Sequence, residues 1–411
     1  MGLGSAVTST PAPGRWRTAQ LTGAGLALIA ACYGLARFSY GLFVPVLSAE
    51  FELTAATAGA IASGSYAAYC LAIVASTALT PRLGSRTLAI SAGVVATVGV
   101  LLIALAPNAM ALAIGVIVAG SSTGIASPPL AQAIATTVRE RVRDRAQTVV
   151  NAGTRLGVLI SGPVALVAAS QWRLAWFVFA GLCAAVTLWV AFAVPGGRPL
   201  RTTDAPSPAK GRTHRAFQLQ RLPAGSGRLV LAAALMGIAS SEVWTFGRDL
   251  LVGTGGMTQF TSTVAWILLG AFGMAGAAAG GLVARLGVGP SWTATLILNG
   301  AATVLFAALP GSVPIAWGAA AVFGATYIGL TGILLVWGTQ VYMHSPATGV
   351  GLAFPVLALG QAAGTPLVGS LSTAIGPPLA FAVTALVGVA GAFVRPARRC
   401  SRGLTARAGR P

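Results

Sequence analysis

The sequence predicts an all-α membrane protein with twelve transmembrane helices, arranged as two parallel six-helix repeats. Composition comes first: 55% of the 411 residues are hydrophobic and only 8% are charged, against about 25% charged in soluble domains. Apolar runs long enough to span a bilayer then recur six times on each side of a polar, basic stretch. Finally, Pro81-Arg82-Leu83-Gly84 reappears as Ala284-Arg285-Leu286-Gly287 at an offset of 203, and Gly162-Pro163 falls opposite Thr365-Pro366 at the same offset. Two matches at one spacing point to a duplicated unit.

Taken in order, residues 1–18 are rich in Ser, Thr, Pro and Gly and read as a cytoplasmic tail. The apolar run at 19–47 far exceeds the core of a signal peptide, so it is expected to stay as a membrane helix with no segment cleaved. Further runs at 55–79, 87–106, 109–137, 146–169 and 174–194 complete a first six-helix bundle over 19–194. Residues 195–228 form a linker with seven basic residues, one acid and five prolines that discourage a long helix. Runs at 229–251, 258–283, 291–309, 313–338, 347–373 and 377–394 make a second bundle over 229–394, and 395–411 is a basic tail.

Loop charge sets the orientation, because Lys and Arg are retained on the cytoplasmic side. With both termini and the linker inside, 22 of the 26 Lys and Arg residues lie on cytoplasmic segments, and only Arg173 and Arg248 lie outside. A missed or extra helix would scramble this alternation, so the bias also supports the count of twelve. It places the chain in the inner (cytoplasmic) membrane. The net charge of +19 is accounted for by these loops and tails; without aromatic interleaving it does not read as nucleic-acid binding. Cys32, Cys70, Cys183 and Cys400 lack disulfide or zinc spacing and are expected to be free thiols.

Twelve spans in two repeats, a basic central loop, and a basic Gly-containing turn after the second span of each half resemble the major facilitator superfamily. The family's turn reads Gly-x-x-x-Asp-Arg-x-Gly-Arg-Arg. Here Arg82, Gly84 and Arg86 match, with Thr77, Pro81 and Ser85 departing from it; in the second half Gly280, Arg285 and Gly287 match and Ala284 replaces the acid. In the family that acid helps latch the cytoplasmic ends of the bundles. The resemblance covers about residues 20–394. It implies a cavity lined by spans 1, 4, 7 and 10 and flanked by spans 2, 5, 8 and 11. The segment Tyr33 to Gly41 is similar to the first helix of the bacterial YbfB/YjiJ-like branch. Gly153, Gly157 and Gly162-Pro163 resemble the Gly-Pro motif of exporting members, although Leu166-Val167 stands where a paired Gly is found.

A charge at the bilayer centre costs about 2.5–3.5 kcal/mol on insertion scales, so each one within a span marks a candidate. Arg37 lies in span 1 with Tyr33 and Tyr40 at helical spacing, so that two phenols would frame a guanidinium suited to an anion or an aromatic acid. The alternative is that Arg37 snorkels outward or pairs with Glu50, Glu52 or Asp249. Thr148, Asn151 and Arg155 form a second stripe on span 5, about 13 Å from its cytoplasmic end; holding that span to a neighbour is the alternative role. Glu242, on one face of span 7 with Thr245 and Asp249, is the only carboxylate deep in a span, hence the expected proton carrier unless it is fixed in an ion pair with Arg37 or Arg155. Tyr327 and Gln361 are further binding candidates. Tyr66, Tyr69, Gln132, Trp266, Thr331 and Thr365 are weaker candidates, since such residues more often serve packing or interhelical hydrogen bonds than ligand contact. Pro128, Pro129, Pro163, Pro355 and Pro366 are expected to kink their helices and free carbonyls.

The only lysine, Lys210, follows Pro-Ala, so no nucleotide-binding Gly-Lys-Ser/Thr loop exists. His214 and His344 are isolated in loops and the acids do not group, which argues against an enzyme, a metal or a cofactor. No large extra ligand-binding domain suggests a sensor. The expectation is a monomeric secondary transporter working by alternating access, proton- or gradient-coupled. Two intramembrane arginines against one glutamate lean toward small organic anions. Proton-driven efflux of a hydrophobic compound is the alternative.

Overall fold

A computed structural model describes residues 15–168, 171–196, 223–343 and 345–396; most of the linker and of both tails, and the loop residue His344, lie outside the described residues, while residues 15–18, expected in the N-terminal tail, already belong to the first helix. In hydrocarbon every backbone N–H and C=O needs an internal partner, and the apolar runs accordingly form helices. Those of the first half are α1 (Trp16–Glu50), α2 (Ala55–Leu83), α3 (Ser85–Ala104), α4 (Ala109–Thr137), α5 (Glu140–Val167) and α6 (Trp172–Ala193). The second half holds α7 (Ser226–Thr254), α8 (Gln259–Gly276 with Ala279–Leu286, bent by 43°), α9 (Val288–Ala308), α10 (Val313–Val341), α11 (Pro346–Ile375) and the shorter α12 (Pro377–Gly391).

The repeat is visible in the backbone. Gly84 joins α2 to α3 and Gly287 joins α8 to α9, at φ 86° and 81° with extended ψ of 152° and 168°. A side chain at either would be strained in this reversal, which is why glycine recurs at the 203-residue offset. The flanking Arg82, Arg86 and Arg285 are exposed, and Arg86 reaches back to Gly196 at the end of α6.

Prolines do not break the helices that contain them: α4 runs through Pro128 and Pro129, and α11 through Pro355 and Pro366. The carbonyls they free are used instead. Ser76 Oγ of α2 donates to Ile125 O, four residues before Pro129, at 2.9 Å, and Ser63 Oγ donates to Ala362 O, four residues before Pro366, at 2.7 Å. Breaks occur elsewhere, at Ala152 in α5 and at Met274–Ala278 in α8.

The bundles meet along α1–α7, α2–α11 and α5–α8. At the end carrying loops 51–54 and 255–258 this contact is intimate. A Cβ on Gly41 would strike the Trp244 carbonyl, and one on Gly369 the Ala55 carbonyl. Arg248 Nη1 donates to Leu42 O across the interface at 2.6 Å, and its Nε donates to Ser262 Oγ at 3.2 Å. The expectation that Arg248 lies in an outer loop is therefore corrected. A π turn at Leu250–Thr254 extends α7 past it, and Arg248 is 7% exposed within the helix. The one cation left in that position, Arg173, pairs with Glu50 at 2.9 Å.

Candidate functional site

Residues Ala30–Phe38 of α1 are wound as a π-helix, in which hydrogen bonds span five residues and the turn is wider than in an α-helix. The Ser39 hydroxyl donates to Gly34 O at 2.9 Å within it. This winding carries Arg37 into a shell of rings. The Tyr66 and Tyr69 ring centres of α2 each lie 4.5 Å from its Cζ, Phe38 lies at 5.3 Å and Tyr33 at 6.0 Å. Tyr40 does not complete the frame expected from α-helical spacing, since the wider turn breaks that register. Its hydroxyl donates to Ala58 O at 3.1 Å, although it lines the same cleft farther along.

That cleft is lined by Arg37, Phe38, Tyr40, Gly41, Ala62, Ser65, Tyr66, Val116, Trp244 and Thr245. It lies between the bundles. Trp244 is its hub on the α7 side, with ring centres 4.4 Å from Phe38, 5.3 Å from Tyr327 and 5.8 Å from Trp266. Gln361 of α11 donates to Tyr327 Oη at 3.3 Å and to Ser240 Oγ at 3.4 Å, while Tyr33 Oη meets Ser127 Oγ of α4 at 3.0 Å. Polar and aromatic groups from α1, α2, α7, α10 and α11 thus converge near mid-span. Arg37 is 7% exposed, has no ion partner among the described residues, and its Nε has no acceptor.

Glu242 is fully buried, and neither carboxylate oxygen has a partner. An ion pair with Arg37 or Arg155 is absent from the structure. The reason lies in helix geometry: Glu242 shares a face with Ile238 and Ala239, which pack on Gly364 of α11 and Gly388 of α12. Trp244, two residues on, points to roughly the opposite side. Arg155 and Asn151 are likewise not brought to the cleft. Arg155 is half-buried beside Gly273 of α8, its Nε without a partner. Asn151 is exposed at the α5 break and accepts from Gln147 Nε2 at 3.1 Å. Trp266 Nε1 donates to Ser161 Oγ at 3.2 Å, an interhelical tie between α8 and α5. No group of three or more His, Cys, Asp or Glu suited to a metal occurs among the described residues.

The profile of the Major Facilitator Superfamily matches residues 26–357. The chain belongs to that superfamily. No curated protein sequence matches it. Among solved structures, this superfamily member is similar to a mutant of the nucleoside transporter NupG (TM-score 0.72, 12% identity, 92% of this chain and 98% of that one). A bacterial homolog of the human lysosomal transporter Spinster, inward-facing and unoccupied, gives 0.71 at 17% identity over 93% and 95%. A POT family transporter in complex with 5-aminolevulinic acid gives 0.74 at 11% identity over 92% and 94%. At these identities the likeness is one of fold. The protein is a multi-pass membrane transporter and not an enzyme.

Sequence reasoning missed Phe38 and Trp244 as components of this superfamily member's cleft. A signal existed for the second, because tryptophan favours the membrane interfaces, whereas Trp244 sits well inside α7 and is 5% exposed.

Proposed function

We propose that this protein is a secondary transporter of a small organic anion, working as a monomer in the cytoplasmic membrane by alternating access around the cleft between its bundles. The observation that carries the reading is Arg37, a buried cation with no anion beside it. Such a charge is costly in a membrane protein and is retained where a ligand completes it. The positive-inside bias favours cytoplasmic termini, which would put the Gly41–Trp244 contact toward the outer side. Glu242, buried without a partner beside α11 and α12, is the group best placed to carry a coupling proton, and the Gly84 and Gly287 turns with their arginines serve the gating motion. Asn151 and Arg155 would act at the α5–α8 seam rather than on the substrate.

Transport into proteoliposomes tests this. Arg37→Lys keeps a charge but loses the planar fork that holds a carboxylate through two hydrogen bonds. It should reduce uptake of organic anions by at least about tenfold and spare neutral analogues of equal size. Equal loss of both makes Arg37 structural. That result would favour a second reading, efflux of a hydrophobic compound, which the ring cluster of Phe38, Trp244, Phe323 and Tyr327 supports.

A further inference from the structure

Two residues that line the same cleft, Arg37 and Trp244, carry buried donors with nothing to accept from them. The Arg37 guanidinium makes no hydrogen bond among the described residues, and its Nε and Trp244 Nε1 are both enclosed and unpaired. Buried donors in native proteins are nearly always satisfied, so an orphan pair marks the place of a missing acceptor. The rings around Arg37 do not supply it, since they present their π faces to the guanidinium and their hydroxyls accept no hydrogen bond from it. They crowd the guanidinium without satisfying its in-plane N–H groups.

The rest of the cleft narrows the ligand. Apart from the phenols and the Ser65 and Thr245 hydroxyls its lining is aromatic or aliphatic, with no second cation and no carboxylate; Glu242, one turn before Thr245 on α7, is not among the lining residues.

We propose that the cleft binds a small aryl monocarboxylate. Its carboxylate accepts from the Arg37 edge and from Trp244 Nε1–H, and its ring lies among the aromatic side chains. This deepens the anion-transport reading and rests on it. The same features reject related classes. A dianion brings a second charge with no cation to meet it, and a zwitterion brings an ammonium with no carboxylate to receive it.

Isothermal titration of the full-length protein in nanodiscs with benzoate, benzamide, phthalate and phenylalanine tests the assignment. Benzoate is expected to bind, with the other three at least about tenfold weaker. Trp244→Phe keeps a ring and removes the donor, and should weaken benzoate about tenfold. Arg37→Lys should erase the preference for benzoate over benzamide. Phthalate or phenylalanine binding as tightly as benzoate overturns the monocarboxylate assignment, and so does an absence of benzoate binding. If other anions then bind in an Arg37-dependent way, the broader anion reading survives. Benzoate binding unchanged in both variants overturns the two readings together, and loss in Arg37→Lys alone removes Trp244 from the site.

Discussion

Arg37 and Glu242 are both buried charges without partners, yet α7 keeps them apart. Trp244 lines the cleft with Arg37, while Glu242 is not among the lining residues and follows by one turn Ile238 and Ala239, which pack on α11 and α12. If Glu242 carries the proton, coupling runs through movement of α7 and not through charge contact with the substrate. Glu242→Gln, which keeps the shape and removes the ionisable group, should abolish accumulation driven by a pH gradient while leaving counterflow exchange within about twofold of wild type. Accumulation that survives intact would make Glu242 structural. A second expectation concerns Arg37→Ala. Because no ion pair joins the two residues, it should leave the pH dependence of any residual transport unchanged, whereas a shared charge pair would shift it.

Among the elements, α2 has the widest reach. Its serines occupy carbonyls released by prolines on both sides, Ile125 O in its own bundle and Ala362 O in the other, and its tyrosines face Arg37 of α1. The bond from Ser63 to Ala362 crosses the closed end and must break when that end opens. Hydrogen bonds between membrane helices average about 0.6 kcal/mol, with a maximum of about 1.7. Ser63→Ala should therefore raise the open-outward population roughly threefold, read as faster modification of a cysteine placed at Ala62 by a reagent outside. Gly41→Leu should act more strongly in the same direction, since α1 touches the α7 backbone at that point. No change in labelling in either variant would show that this end is not the one that opens.

For the whole molecule, removing Arg248 from the outer loops leaves Arg173 as the one described cation there, already paired with Glu50. A membrane-impermeant thiol reagent should leave Cys400 untouched in intact cells and label it after permeabilisation, and a cysteine at Thr54 should react from outside without permeabilisation. Labelling of Cys400 in intact cells would invert the orientation.

Hydropathy and loop charge add up along the chain, and each membrane helix satisfies its own backbone, so the sequence by itself determined the membrane class, the order of the spans and the family. The 203-residue repeat was legible for the same reason: the reversals at Gly84 and Gly287 are local and demand the same residue. Arg37 was also legible as a candidate, because a charge in an apolar run stands out without any structure. Its surroundings were not. The π winding of Ala30–Phe38 breaks the spacing that placed Tyr40 beside the guanidinium. Tyr66, Tyr69 and Trp244 reach the cleft from α2 and α7, across separations that periodicity does not encode. Which face of α7 meets the cleft, and hence the separation of Glu242 from Arg37, follows from the packing of α7 on Gly364 and Gly388. Only the tertiary structure decided it, because the stripe of Glu242, Thr245 and Asp249 marks one face of the helix without encoding which neighbour meets it.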